Sequence, residues 1–426
     1  MTVGWLRPGS VEYEAARRPA MPRYGEIRPA AIARCSSAAD VVEVLAEARR
    51  TGVPVVPRSG GHCFAGRSST TGIVLDVSPL TSVEVTDGVL CAGAGIRLNE
   101  LYDALDAAGV TIPGGCGPTV GIVGLTLGGG IGLLGRMHGL TCDSLVAADV
   151  VLADGRVITC SDEDDADLFW ALRGAGGGQF GVVSRLWFST LPAPVATRFH
   201  LTWSRADAVA VIDAWQRWAP YAPDELNANV RLAADAVHLF GLTVGEFAAP
   251  VDLPPSSSIV EELPYRQLKR SFVGLGAEAD EVQRIEVSKS EFFAQPIPTA
   301  VLEELVRAAP GEVNFTPMGG AYNRVPADAT AFAHRDTAFL LELMASAPAV
   351  NLEATEADLR ARLAGVFKPL APYGTGRVYP NFPDPMLEDP HLAYHGENLD
   401  RLRKVKQAYD PDGFFAFPQS LSPAAS

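Results

Sequence analysis

The sequence predicts an α+β fold of two domains, and three observations support that prediction. The chain has 426 residues, 47% hydrophobic and 20% charged, which exceeds what one hydrophobic core usually covers. In its first half, short β-branched runs alternate with amphipathic segments. Residues 146–160, VAADVVLADGRVITC, predict a β-hairpin that turns at Asp154 and Gly155, so we do not expect a purely parallel sheet.

Local signals define the elements of the first half. A helix is predicted over residues 36–52, with Ser37 as its N-cap, Asp40 three residues later and Gly52 after a basic last turn. A strand over residues 53–56 is expected to end at Pro57. Further along, the pattern predicts strands over residues 73–77 and 182–188 and a helix over residues 98–108.

The amino-acid composition and the hydrophobic pattern of the chain change from about residue 190. Glycine becomes rarer, and longer amphipathic segments such as 206–221 and 354–367 appear, which favours a sheet covered by helices. Residues 378–418 return to turns rich in glycine, asparagine and aromatic residues, and a last helix is predicted over residues 398–409. We therefore expect one domain at residues 1–190, completed by residues 378–426, and a second domain at residues 191–377.

Composition argues against several classes of protein. The net charge of −15, from 35 basic and 50 acidic residues, repels phosphate backbones, so nucleic acid is not expected as a partner. No apolar run reaches the roughly 20 residues that span a bilayer, and no export signal is recognised at the start, so we expect no membrane association and a cytoplasmic location. The six cysteines have no CxxC spacing and no histidine cluster, which argues against a metal site and a disulfide framework.

Three glycine-rich segments indicate a nucleotide cofactor. They are RSGGH at 58–62, LTLGGGIG at 125–132 and RGAGGGQFG at 173–181. Glycine lets the backbone approach a phosphate closely, and successive N–H groups in such turns form an anion-binding nest. Each segment alone would more simply be a turn. Three of them together favour a large diphosphate ligand.

Two of these segments also match the dinucleotide pattern GxGxxG, at residues 130–135 and 176–181. A Rossmann site needs a helix of several turns after the motif. After Gly135 the chain is interrupted by Gly139, and after Gly181 it continues as a strand pattern. We interpret both matches as consequences of glycine richness, which leaves an NAD(P)-dependent reductase as the weaker alternative.

Six motifs, in order along the chain, resemble one known family. They are RSGGH, GGCGPTVGIVGLTLGGGIG, RMHGLTCDSLVAADVVLADG, DLFWALRGAGGGQFGVV, GGAYNRVP and the terminal YPNFPD…AYHGENLDRLRKVKQAYDPDGFFAFPQS. From about residue 10 to the C-terminus the chain resembles the berberine bridge enzyme-like FAD-linked oxidases. The resemblance implies a vanillyl-alcohol-oxidase/PCMH-type flavoprotein. In that fold the first domain binds FAD, and the second is an α+β substrate domain whose antiparallel sheet is covered by helices.

The resemblance also implies a covalent cofactor, with a ring nitrogen of His62 bonded to the 8α-methyl group of the flavin. The cofactor-binding residues that it implies are Arg58, Ser59, Gly60, Gly61, His62, Cys63, Gly66, Cys116, Gly117, Thr119, Val120, Gly121, Gly124, Leu125, Gly128, Gly129, Gly130, Gly132, Gly139, Asp143, Gly181, Val182, Val183, Asn381 and Asn398. We expect Cys63 to be a packed thiol near the flavin and not a nucleophile.

Many members of that family attach the flavin a second time, through a cysteine to C6. Aligned without gaps on residues 125–130, the attaching position falls at Gly117, and Cys116 lies one residue too early. A shift of one residue redirects a side chain. We therefore predict a single covalent link at His62, with a second link through Cys116 as the minor alternative.

Oxidation of an O–H or N–H substrate needs a base close to the flavin. The terminal motif, typically Tyr-x-Asn-Tyr in alcohol-oxidising relatives, is Tyr379-Pro380-Asn381-Phe382 in this chain, and Phe382 has no hydroxyl. Tyr379 and His395 are the predicted catalytic residues, although either could be structural. The segment 319–324 is expected to form the pocket wall over the flavin.

These expectations combine into a functional hypothesis. The chain is predicted to be an FAD-linked oxidase that takes hydride from a small natural product, of alcohol, hemiacetal or amine type, to flavin N5. Dioxygen is the expected acceptor, giving hydrogen peroxide in a tailoring step of secondary metabolism such as antibiotic biosynthesis. A monomer or homodimer is expected. Besides the reductase, the alternative is a flavoprotein that binds or sequesters a metabolite and has lost turnover.

Overall fold

The computed structural model describes residues 3–246, 253–272 and 284–424. Strands and helices are numbered in chain order within this part. The strands are β1 Gly4–Leu6, β2 Ala31–Arg34, β3 Val55–Arg58, β4 Ile73–Asp76, β5 Val83–Thr86, β6 Val89–Gly93, β7 Val110–Thr111, β8 Leu145–Val151, β9 Val157–Ser161, β10 Val182–Ser189, β11 Leu191–Pro192, β12 Val195–Ser204, β13 Leu226–Leu232, β14 Ala236–Thr243, β15 Ser257–Pro264, β16 Arg284–Phe293, β17 Val313–Pro317 and β18 Phe339–Pro348. The helices are α1 Val11–Ala16, α2 Ala38–Thr51, α3 Leu98–Ala107, α4 Ile122–Leu127, α5 Gly135–His138, α6 Ala166–Leu172, α7 Ala208–Trp218, α8 Tyr265–Ser271, α9 Thr299–Ala308, α10 Ala321–Arg324, α11 Leu352–Phe367, α12 Pro390–His395 and α13 Leu399–Tyr409.

The first half of the chain forms two larger sheets, and its strand β7 also pairs with β11 in a small two-stranded sheet. Strands β1-β2-β4-β3 form one sheet, in which β4 runs parallel to both β2 and β3. The second sheet, β5-β6-β10-β8-β9, is antiparallel and contains the predicted hairpin of β8 and β9. Helix α2 begins where Ser37 Oγ accepts the Asp40 N–H, as the sequence predicted. The α+β prediction is confirmed.

One predicted strand is displaced. The strand expected at residues 53–56 is β3, which runs through Pro57 to Arg58. Proline lacks the N–H that a central strand needs. It is tolerated in β3 because this strand lies at the edge of its sheet and pairs only with β4 among the described strands.

The second half of the chain forms a seven-stranded antiparallel sheet in the order β15-β12-β14-β13-β17-β18-β16. Helices α7, α9 and α11 bury residues such as Trp215, Leu302 and Leu359 against one face of this sheet. Because side chains alternate between faces along a strand, the remaining residues of β13, β17 and β18 point the other way, towards the first half. That second face carries polar residues and forms a wall of the cavity described below.

The end of the chain returns to the core of the first half. Leu402 and Val405 of α13, followed by Phe415, pack into that core. Lys406, on the same helix, is completely buried; its Nζ donates to Asp410 Oδ2 at 2.7 Å and to the carbonyl oxygens of Gln179 and Phe415. The boundaries at residues 190 and 378 stay predictions.

Within the described residues, no helix is both long and apolar enough to cross a bilayer. Nor does this part of the chain bring together three or more His, Cys, Asp or Glu side chains that could hold a metal ion. All six cysteines are free thiols.

Candidate active site

A cavity of about 560 Å³ lies between the glycine-rich loops of the first half and the polar face of the seven-stranded sheet. This volume is in the range of cofactor and substrate sites, about 300–1,000 Å³. One part of the cavity is lined by residues 57–64, 120–127 and 176–183, and the other part by side chains of β13, β14, β17 and β18. Residues 379–383 of the terminal segment also line the cavity, and the Tyr379 hydroxyl accepts the backbone N–H of Gly130 in the glycine-rich segment at 125–132.

The glycine-lined part is a cradle that larger residues would fill. A Cβ on Gly60 would lie 2.5 Å from the backbone nitrogen of Gly121, so these two loops touch only because both lack side chains. A Cβ on Gly124 would meet no atom within 4 Å and would project into the cavity instead. Close backbone approach of this kind suits a phosphate-bearing cofactor.

Arg58 places a positive charge beside this cradle. Its side chain is buried, and it donates to the carbonyl oxygens of Ser68, Ala16 and Arg17 and to Ser69 Oγ. These oxygens are uncharged and hold the guanidinium group in place, and the charge of Asp76, its cross-strand partner, opposes the lowering of its pKa. Burial lowers the pKa of Arg58, but an arginine stays protonated in proteins. The cradle therefore combines backbone N–H donors with a fixed cation, as a diphosphate group requires.

His62 lines the same cavity, directly after the glycine pair Gly60–Gly61. Its Nε2 is 2.9 Å from Thr119 Oγ1. Burial, and then the positive charge of Arg97, lower the pKa of His62 below its usual value of 6.5. At neutral pH the ring is consequently uncharged, so one nitrogen carries a lone pair and could act as a nucleophile.

Cys116 also lines the cavity, on the loop that precedes α4. Lys269 lies beneath this loop; its Nζ donates to the carbonyl oxygens of Gly114 and Gly115 and lies 3.6 Å from the centre of the Tyr102 ring. Burial lowers the pKa of Lys269 to about 7. Burial raises the pKa of the Cys116 thiol, against the effect of Lys269. The thiol is therefore protonated at neutral pH and a poor nucleophile.

Tyr379 lines the cavity with its hydroxyl held by three donors. The phenol oxygen accepts the backbone N–H groups of Gly130 at 3.0 Å and Ile131 at 3.1 Å, and the side-chain amide of Asn381 at 3.0 Å. Burial raises the pKa of Tyr379 to about 12, although these hydrogen bonds oppose the rise. The ring meets Phe382 edge to face, with ring centroids 5.0 Å apart.

The opposite wall comes from the seven-stranded sheet and contains a buried carboxyl group. Asn227 and Asn229 of β13, Asn314 of β17 and Glu342 of β18 line it, and Asn314 and Glu342 are direct partners across their strands. Glu342 is 8% exposed, and its Oε1 has no hydrogen-bond partner among the described residues. Burial, and then the charges of Glu286 and Glu312, raise the pKa of Glu342 to about 8.

Comparison with known proteins supports FAD as the cofactor of this chain. The family model described as FAD binding domain matches residues 29–161, and the model described as berberine and berberine like matches residues 378–422. The FAD-linked oxidoreductase YgaK of Bacillus subtilis, which is uncharacterized, is 33% identical over 428 residues, covering 95% of this chain and 92% of that protein. The chain belongs to the berberine bridge enzyme-like family of FAD-linked oxidoreductases.

Two further comparisons support this family. A chitooligosaccharide oxidase of Gibberella zeae is 29% identical over 442 residues, covering 93% of this chain and 88% of that protein. The solved structure of the wild-type BBE-like 1 protein of Physcomitrella patens superimposes with a TM-score of 0.91 at 27% identity, covering 100% of this chain and 98% of that chain. The glycine cradle and Arg58 fit the FAD of this family.

Most of the residues predicted to bind FAD line the cavity. They are Arg58, Ser59, Gly60, Gly61, His62, Cys63, Cys116, Gly117, Val120, Gly121, Gly124, Leu125, Gly132, Gly181, Val182, Val183 and Asn381. Several others lie just behind it and shape the loops. Gly66 packs on the Tyr24 ring, and Gly128, Gly129 and Gly130 pack on Asn381, Phe332 and Thr141. Thr119 is not part of the lining, but its Oγ1 lies 2.9 Å from Nε2 of His62, which is.

Four more predicted residues, besides those that shape the loops, lie outside the lining. Gly139 packs on Asp143, and Asp143 forms a buried ion pair with Arg335 at 2.7 Å. Asn398 donates to backbone carbonyl oxygens, including that of Ala327 at 2.8 Å. His395, the second predicted catalytic residue, is 1% exposed and absent from the cavity wall, and burial lowers its pKa to about 3.

Two other expectations concern the glycine motifs and the pocket wall. The first GxGxxG match is followed by α5, which has only four residues, and the second is followed by strand β10. Neither has the helix that a Rossmann site needs, which agrees with the rejection of that motif. The segment 319–324 does not line the cavity, so its prediction as pocket wall is wrong. Its Tyr322 hydroxyl instead donates to the Gly132 carbonyl behind the lining.

The sequence analysis did not predict the polar wall formed by β13, β17 and β18. One signal could have found part of it. Glu342 is the single charged residue in the run FLLELM at 339–344, and a charged residue in an apolar strand is seldom buried without a role. The asparagines carry no comparable signal, since which face of a strand they occupy depends on pairing.

Proposed function

We propose that the protein is an FAD-dependent oxidase acting on a small natural product that carries an alcohol or hemiacetal group, with an amine as the less favoured type. Bound FAD supplies the hydride acceptor, flavin N5, and the proposed final acceptor is dioxygen, which gives hydrogen peroxide. One observation carries the proposal: a single cavity joins the FAD cradle to a polar wall that contains a buried carboxyl group, Glu342, whose Oε1 has no hydrogen-bond partner among the described residues.

Glu342 is the proposed catalytic base. Its proposed role is to accept the substrate proton at Oε1 while hydride leaves the adjacent carbon of the substrate. A general base is most effective when its pKa lies near the working pH. The raised pKa of about 8 meets this condition. A carboxylate in this place also needs a hydrogen-bond donor, which a substrate hydroxyl supplies.

Tyr379 has a different proposed role. Its oxygen already accepts three N–H groups, and its pKa of about 12 is far from neutral. We propose that it fixes the loop at residues 130–131 and contacts the substrate beside the flavin. His395 lies outside the cavity wall, so we assign it no step.

FAD attachment through His62 alone is part of the proposal. The pKa of the ring is lowered, so the ring is uncharged at neutral pH, and it lines the cavity. Cys116 is a protonated thiol one residue before Gly117, which argues against a second link. The cytoplasmic location, the monomeric or dimeric state and the role in secondary metabolism stay predictions.

The carboxamides of the wall favour a hydroxylated substrate. Asn227, Asn229 and Asn314 each offer a donor and an acceptor, and both are needed to bind hydroxyl groups. The relative from Gibberella zeae is named for the oxidation of chitooligosaccharides. Oligosaccharides are therefore the first compounds to test, followed by simple alcohols and amines.

The test begins with the intact mass and visible spectrum of acid-denatured protein, for wild type, His62→Ala and Cys116→Ala. We expect flavin to stay bound in wild type and Cys116→Ala and to be released from His62→Ala. A peroxide-coupled screen of the wild-type protein follows. Protein that contains no flavin would show the proposal to be wrong, and flavoprotein that gives no peroxide on the whole panel would favour the metabolite-binding alternative.

A further inference from the structure

A short stretch of the terminal segment, residues 378–383, is called here the terminal strap. It contributes Tyr379 and Asn381 to the cavity lining. The Tyr379 hydroxyl accepts two backbone N–H groups of the loop at 125–132, and Asn381 Nδ2 donates to the Leu125 carbonyl oxygen at 2.9 Å. The strap is therefore docked on a glycine-rich loop of the FAD cradle.

Just before the strap, a buried carboxyl group of strand β16 holds the backbone. Glu291 is 5% exposed, and its Oε1 accepts the N–H groups of Gly376 at 2.7 Å and Arg377 at 3.2 Å. Two successive N–H groups converge on one oxygen because Gly376 has a φ of +73°, in the left-handed region that glycine adopts readily. The next residue of β16, Phe292, donates its N–H to the Arg377 carbonyl oxygen at 3.1 Å. Two successive residues of β16 thus hold this turn.

The same strand also holds the chain just after the strap. Lys289 Nζ donates to Asp384 Oδ2 at 2.9 Å, and Asp384 is 3% exposed. Lys289 and Glu291 are two residues apart on β16, so their side chains leave the same face of the strand. Strand β16 therefore anchors the strap at both ends.

This arrangement links the cradle to the proposed base. Glu291 lies opposite Leu341 in the pairing of β16 with β18, and Leu341 directly precedes Glu342. The position of Glu342 is thus linked through β16 and Glu291 to Tyr379 and the loop at 125–132. Such links matter because reaction rates depend steeply on how the reacting groups are placed, and a misplacement of about 1 Å can cost about 100-fold.

We propose that Glu291 is a positioning residue for the oxidation, which holds Tyr379 and the loop at 125–132 in a fixed place relative to Glu342. This inference rests on the proposed function. Glu291 is not among the residues that line the cavity, and it acts only through the backbone at 376–377. No proton or electron passes through it.

Four substitutions in the full-length protein test this role. Glu291→Leu removes the acceptor oxygens, whereas Glu291→Gln keeps Oε1 as an acceptor and is the conservative variant. Gly376→Ala disturbs the same contact without changing a buried side chain, because its Cβ meets no atom within 4 Å but its positive φ is strained. This variant serves if Glu291→Leu does not fold. Asp40→Leu is the matched control, since Asp40 is also a buried carboxyl group that accepts a backbone N–H, from Ser36 at 2.8 Å, but lies outside the cavity lining.

The first readout is hydrogen exchange of the Gly130 and Ile131 amides, which donate to Tyr379. Mass spectrometry with fragmentation that resolves single amides measures it in the purified flavoprotein, without substrate. We expect the protection of both amides to fall about tenfold in Glu291→Leu, the effect of losing one hydrogen bond of ordinary strength. It should also fall in Gly376→Ala and stay at the wild-type level in Glu291→Gln and Asp40→Leu. A merely structural role for Glu291 would speed exchange at 376–377 alone.

The second readout separates rate from binding. Flavin reduction is followed by anaerobic stopped-flow absorbance at several concentrations of the compound that gives most peroxide in the screen. We expect the limiting rate of reduction to fall about 10- to 100-fold in Glu291→Leu and to recover in Glu291→Gln. The Kd of the compound should not change, because Glu291 does not line the cavity.

The outcomes separate this inference from the function on which it rests. Wild-type protection of Gly130 and Ile131 in both Glu291→Leu and Gly376→Ala would overturn the inference and leave the oxidase standing. Lost protection with an unchanged limiting rate would also overturn it, since the contact would then be structural only. If no compound reduces the flavin, the proposed function fails, and the role of Glu291 in the oxidation fails with it, whatever the exchange rates.

Discussion

Replacement of Glu342 by glutamine removes the proposed base while keeping its shape. The catalytic effect follows from the raised pKa of about 8. Below that pH the carboxyl group is protonated and cannot accept a proton, so the wild-type rate should rise about tenfold per pH unit up to pH 8 and then level off. In Glu342→Gln we expect kcat/KM to fall about 10²- to 10⁴-fold, the usual contribution of a general base, and the rise near pH 8 to disappear.

The same substitution has an effect on stability that needs no substrate. The Glu342 pKa is raised from its ordinary value of 4.5 to about 8, so ionising this group in the folded protein costs roughly 5 kcal/mol more than in the unfolded chain. The free energy of unfolding should therefore decline as pH rises from 4.5 to about 8 and stay low above it. Glu342→Gln should lack this decline, as measured by urea unfolding at several pH values.

Glu312→Gln is the matched control for these assays. Glu312 is one of the two carboxylates whose charge raises the pKa of Glu342. Without it that pKa should fall, so the rising limb of the rate should move to lower pH while the plateau is kept. The substrate is the compound that gives most peroxide in the screen. A Glu342→Gln enzyme with wild-type kcat/KM and an unchanged limb would refute the assignment of the base.

Three further substitutions test the surroundings of the cavity. Tyr379→Phe leaves three buried N–H donors without their acceptor, and we expect a loss of about 1–3 kcal/mol in urea unfolding; unchanged stability would contradict the observed hydrogen bonds. Lys406→Met leaves the buried charge of Asp410 unpaired, at a cost of about 3–5 kcal/mol by thermal or urea unfolding, and the added change Asp410→Asn should recover part of that loss. Gly124→Ala in α4 should leave the fold intact but weaken flavin retention, because its Cβ projects into the cavity; Gly365→Ala, on an exposed helix position with nothing within 4 Å, is the control and should retain flavin fully.

Much of the cofactor cradle could be predicted from the sequence because its requirements are local. A glycine at position 60 or 121 is needed by the backbone contact between two short loops, and such a need is visible in the sequence as a glycine run. The same holds for helix α2, whose cap is fixed by Ser37 and Asp40 within four residues. His62 also belongs to a motif of consecutive residues.

The sequence could not place side chains whose position depends on distant packing, as two of the predicted site residues outside the cavity lining show. His395 is a predicted catalytic residue, but it is buried at the end of α12, outside the cavity lining, and its Nδ1 has no hydrogen-bond partner among the described residues. Asn398 was expected to contact the flavin, yet its amide ties α13 to the loop at residues 327–331. In both cases neighbouring residues in the chain point to different sides of one helical turn.

The substrate wall shows why cofactor and substrate differ in this respect. Asn314 and Glu342 become neighbours only through the pairing of β17 with β18, and Asn229 joins them through β13. A slip of one residue in either pairing would turn every one of these side chains to the helix-covered face. Their chemistry is therefore set by register and not by any local motif. Relatives that share the glycine loops can thus keep the same FAD site while the wall changes residue by residue, so substrate has to be established for this chain by assay and not by family.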